Sequence, residues 1–181
     1  NLTDRAGVRA MLRSLLDRKP VPGQVPGVAT HVLPVLFAAY AEAALADGPD
    51  ASDWVKDLID QSRDDSDRPW ARQGAVTALS GWIGRDPGNT ALFLKTAREK
   101  NWPDGQAELV ARLLRGYAAP GPDNPAAVDQ LVGMLNDDSL VVREAALANL
   151  LGYFDPEANQ VPGLGLGADV AQRGTPAYER F

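Results

Sequence analysis

The chain has 181 residues, 45% of them hydrophobic and 23% charged, a balance that excludes a disordered or collagen-like polymer and leaves room for a buried core. The net charge of −6 arises wholly within residues 101–181, which hold 11 acidic and 5 basic side chains, so a phosphate backbone is a poor partner and nucleic acid is not expected. Cysteine is absent, which excludes disulfides, thiolate nucleophiles and sulfur-ligated zinc, and no apolar run reaches the roughly 20 residues of a membrane-spanning helix.

Alanine and leucine, at 28 and 22 copies, outweigh the β-branched and aromatic residues, so the elements are expected to be helices. The first is predicted over residues 4–18, opening at Thr3 and presenting Val8, Leu12, Leu15 and Leu16 on one face. Residues 20–27, with three prolines and two glycines, form a loop to a second helix over 28–46. A third is predicted over 52–63 with Trp54, Val55, Leu58 and Ile59 inward, closed by the acidic turn Asp64, Asp65, Ser66, Asp67. A fourth covers 69–83. The fifth, over 90–100, follows Asp86-Pro87-Gly88-Asn89, and the sixth, over 105–117, follows Pro103-Asp104. Asn124 and Pro125 supply a cap and a first helical position for the seventh, over 125–135, and Asp137-Asp138-Ser139 leads into the eighth, over 140–154. Residues 155–181 lose the period, and the glycines of Val161-Pro-Gly-Leu-Gly-Leu-Gly167 read as an irregular tail. No strand before them and no Lys-Ser or Lys-Thr after them supports a phosphate loop. The expected division is a helical domain over 1–154 and a tail over 155–181. Because the chain starts at Asn1 without a signal region, an excised or processed piece is expected, of unassigned compartment.

One pattern recurs at a fixed period. Leu79-Ser80-Gly81-Trp82, Leu114-Arg115-Gly116-Tyr117 and Leu150-Leu151-Gly152-Tyr153 share leucine, any residue, glycine and a large aromatic, at spacings of 35 and 36. Extended backward, Ala71-Arg72-Gln73-Gly74-Ala75-Val76 aligns with Val142-Arg143-Glu144-Ala145-Ala146-Leu147. These segments resemble the HEAT repeat family, clearly over 52–154 and only by pattern before it, where Phe37 and Tyr40 stand at the Leu79 and Trp82 positions. The resemblance implies an all-α, right-handed solenoid of about four helix pairs, similar also to armadillo arrays. It further implies a ladder between repeats made by Asp67, Arg72, Asp138 and Arg143, interrupted where Ala107 replaces arginine.

Catalytic signals are weak. His31 is the sole histidine and no Gly-x-Ser-x-Gly elbow exists, so a Ser-His-Asp triad is not supported. Asp64, Asp65 and Asp67 lack the spacing of a calcium loop and read as a turn, as do Asp137 and Asp138. Asp53, Asp57 and Asp60 read as a solvated face with Lys56 and Arg63. Trp54 and Trp82 are expected in the core, while Trp70 and Trp102 are open to either a packing or an anchoring role. No cofactor or metal is expected.

The family's second helices line the inner surface of the array, and the register places Gln73, Thr77 and Ser80, then Glu108, Arg112 and Arg115, then Glu144, Ala148 and Leu151 there. Among these, Arg112, Arg115, Thr77, Gln73 and Glu144 are the candidate binding residues, with the arginines suited to carboxylates of a protein or peptide partner. The expected function is a non-catalytic interaction or scaffold module. Two alternatives stay open: an enzyme of the HEAT-like kind acting on nucleic acid or a protein side chain, and a structural spacer in a longer protein.

Overall fold

The structure, a computed structural model, describes residues 51–63, 69–117 and 124–154, together with the helical residues Gly7, Ala10, Met11, Ser14, Phe37, Ala38, Ala39, Ala41 and Leu45. Predictions for His31, Tyr40, the Asp64-Asp65-Asp67 turn and the tail over 155–181 lie outside the described residues, as do the ends of the first two predicted helices. Among the described residues the fold is all-α, with no β-strand. The helices are α1 (Ala51–Arg63), α2 (Pro69–Arg85), α3 (Pro87–Glu99), α4 (Asp104–Leu114), α5 (Pro125–Met134) and α6 (Leu140–Phe154).

Local chemistry explains each boundary. In α1, Trp54, Val55, Leu58 and Ile59 fall on one buried stripe while Asp53, Asp57 and Asp60 face out. Lys56 reaches Asp53 and, across to α3, Glu99, and Lys100 pairs with Asp60 at 2.5 Å. Helix α3 starts three residues earlier than its pattern predicts, because Asp86 caps it by accepting from the Gly88 N–H at 2.7 Å and Pro87 takes the first turn, where a missing N–H costs nothing. It stops at Asn101, whose φ of 58° is left-handed, with Trp102 N–H donating to Ala97 O at 3.0 Å and Asn101 N–H to Arg98 O at 2.9 Å. That turn drives the Trp102 ring edge-on against Phe93, with the Arg63 guanidinium 5.3 Å from its centroid. Trp102 therefore serves packing. Trp54 and Trp82 are in the core, and Trp70 is half-buried against Phe37.

Helix α4 ends at Leu114, three residues before its predicted end, because Gly116 adopts φ 92°, a conformation that a residue with a Cβ takes at a cost. Asn124 caps α5 and Pro125 opens it. Before α6, Asp137 accepts from the Ser139 N–H, and its carbonyl accepts from Arg143 Nη1 at 2.8 Å.

Two helices are buried nearly all round. Residues 71–76 of α2 and 141–147 of α6 have no exposed member, as expected of helices at the centre of a core rather than on its rim. Helix α1 packs on α2 and α3, and α5 on α6. Helices α2, α4 and α6, each carrying a copy of the repeated motif at or just beyond its C-terminal end, pack on one another. Positions two repeats apart thus touch directly. The clearest link is Arg72, whose Nε lies 3.4 Å from Glu144 Oε2 in a fully enclosed ion pair between α2 and α6. Arg143 binds a backbone carbonyl of its own turn, Arg72 reaches past the middle repeat, Asp138 is exposed, and Asp67 lies outside the described residues.

Candidate binding groove

The three motif copies converge. A groove of about 720 Å³ opens where the C-terminal halves of α2 and α6 meet the end of α4. Ser80 and Gly81, Arg115 to Tyr117, and Gly152 and Tyr153 line it from equivalent motif positions, while Thr77 and Ala148 line it one turn earlier in α2 and α6.

Side chains from both flanking helices tie down the end of α4, whose last carbonyls have no partner within their own helix. Ser80 Oγ donates to Leu114 O at 2.7 Å. Asn149 Nδ2 donates to Leu113 O at 2.9 Å and to Ala145 O at 2.7 Å, while its Oδ1 accepts the Tyr117 N–H at 2.7 Å. All but the bond to Ala145 span 32 to 36 residues, so they join successive repeats. The Tyr117 hydroxyl donates to Gln130 Oε1 on α5, and its ring carries the Arg112 guanidinium at 5.0 Å. The groove wall is therefore fixed by hydrogen bonds that consume the polar groups of Ser80 and Asn149.

Arg115 is left over. It caps α4, is exposed, lines the groove, and makes no ion pair among the described residues. It also lines a second depression of about 400 Å³ between α3 and α4, shared with Thr90, Gly105, Glu108 and Arg112. Arg115 thus stands on the ridge between two concavities.

The candidate residues separate by position. Thr77 and Arg115 line the groove, and Arg112 lines the neighbouring depression. Gln73 and Glu144 are buried toward the other ends of α2 and α6, and the Glu144 carboxylate is engaged by Arg72. Asn149, Tyr117, Tyr153 and Gly84 also line the groove, although the inner-face register alone does not point to them. Three of these four lie in or beside the repeated motif, so the repeat itself was the available signal. Among the described residues no group of three His, Cys, Asp or Glu is placed to hold a metal, and no helix is long and apolar enough to cross a membrane.

No family model matches this sequence, and no curated protein or solved structure is similar enough to match it.

Proposed function

We propose that the chain is a non-catalytic binding module, a scaffold of HEAT-like helix pairs whose inner helices α2, α4 and α6 present a recognition groove. In this reading about four pairs wind as a right-handed solenoid closed tightly enough for α2 to touch α6, the first of the pairs falling within residues 1–46. Thr77 and Arg115 contact the partner directly, Arg112 flanks them, and the buried Gln73 and Glu144 hold the helices that carry the surface. One observation carries the reading: equivalent positions of three successive repeats line a single cavity, which is how stacked repeats build an extended recognition surface.

The test exploits Gly84. A Cβ built there meets nothing within 4 Å, so the side chain of Gly84→Leu starts into open space at the groove wall. The immobilised wild-type chain is expected to retain a protein from a lysate that the leucine variant releases, with unchanged helical circular dichroism. Equal retention by both would move the contact surface elsewhere, and retention by neither would favour a spacer role.

A further inference from the structure

We propose that the groove takes an extended acidic peptide, with one carboxylate held by Arg115; the inference rests on the binding-module reading above. Arg115 is the one charged side chain among the described residues that line the groove. It belongs to a region, residues 101–181, in which acidic side chains outnumber basic ones by 11 to 5, yet no carboxylate among the described residues neutralises it. Arg98, by contrast, pairs with Asp104 at 2.8 Å, and Glu108, the carboxylate that lines the second depression with Arg115, makes no ion pair with it. A planar guanidinium with its donors exposed at the lip of a cavity suits a carboxylate in two-point contact.

The glycine lining favours an extended ligand. Glycines come from all three inner segments, Gly81 and Gly84 from α2, Gly116 after α4, and Gly152 from α6. Gly84 and Gly116 face open space. Such a lining lets a main chain lie close, whereas a helix with its side chains needs about 10–12 Å of clear width. The Ser80 and Asn149 side chains are already committed to α4, so selectivity falls to Thr77 and above all Arg115. Because Arg115 also borders the second depression, a strand lying over it continues toward Arg112, and a second acidic residue in the ligand meets that guanidinium.

The experiment selects a phage-displayed library of random octapeptides on the full chain, then measures synthetic versions of the enriched peptides by fluorescence anisotropy. The expected peptides carry Asp or Glu at one fixed position. Their affinity falls about tenfold or more with Arg115→Ala or when that acid is replaced by its amide, and falls less with Arg115→Lys. Gly84→Leu abolishes binding. Peptides blocked by Gly84→Leu but indifferent to Arg115→Ala would overturn the carboxylate inference and leave the groove reading standing. Peptides indifferent to both changes, or no enrichment on a folded chain, would overturn both. A dimer of the full chain that Gly84→Leu dissociates would assign the groove to a second copy and overturn the peptide inference.

Discussion

Replacing Glu144 by Gln is predicted to be among the most destabilising single changes in the chain, although it removes only a charge. Arg72 has a side-chain exposure of 0% and Glu144 of 6%, so neither group recovers hydration when its partner is lost. Breaking an enclosed ion pair by removing one charge costs about 3–5 kcal/mol, which for a chain of this size lowers Tm by roughly 10 °C. Distance does not decide the matter. Arg98 and Asp104 approach more closely, at 2.8 Å against 3.4 Å, yet both are exposed, and Asp104→Asn is expected to cost no more than about 1 kcal/mol. Urea denaturation followed by circular dichroism would measure Arg72→Met, Glu144→Gln and the double variant as a cycle. The expected coupling energy exceeds about 1 kcal/mol, because the two residues interact directly; values that add to within about 0.5 kcal/mol would refute the ion pair between α2 and α6.

Asn149→Ala removes two hydrogen bonds between α6 and the end of α4 and one within α6, with an expected loss of about 2–3 kcal/mol and faster hydrogen exchange at the Tyr117 amide. Asp86→Ala takes the cap from α3 and should cost about 1 kcal/mol in thermal denaturation, with little effect on the groove. Gly116→Ala and Gly84→Ala should differ although both sites are open. The first forces a Cβ into φ 92° and costs about 1 kcal/mol, whereas the second changes stability by less than about 0.5 kcal/mol.

Much of the helical framework was legible. The period placed α1, α2, α5 and α6 to within two residues, since a helix that buries one stripe or its whole girth leaves that mark in composition. The misjudged ends are instructive. The pattern starts α3 at Thr90, after Asp86-Pro87-Gly88-Asn89, but the acidic cap followed by proline is itself the first turn. The apolar pattern carries the helix of α4 through residue 117, yet Gly116 turns the backbone away and presents Tyr117 to Asn149.

The groove was partly legible. Thr77, Ser80, Arg115 and Ala148 follow from the inner-face register, and all four line it. The contact of Arg72 with Glu144 was not, because a pairing over 72 residues depends on how tightly successive repeats close, which periodicity does not encode. For the same reason Gln73 and Glu144 read as surface. Helix α6 meets α2 there and buries both.

The central claim is that α2 and α6, two repeats apart in sequence, face each other across one groove. The natural absence of cysteine allows clean labelling, so pyrene attached at Thr77→Cys and Ala148→Cys reports their approach directly. Directly packed helices lie about 8–10 Å apart and a third helix between them would roughly double that. The structure predicts strong excimer emission from the 77 and 148 pair and none from a control pair at 77 and Asp129→Cys. Monomer emission alone from the 77 and 148 pair, in a folded chain, would contradict it.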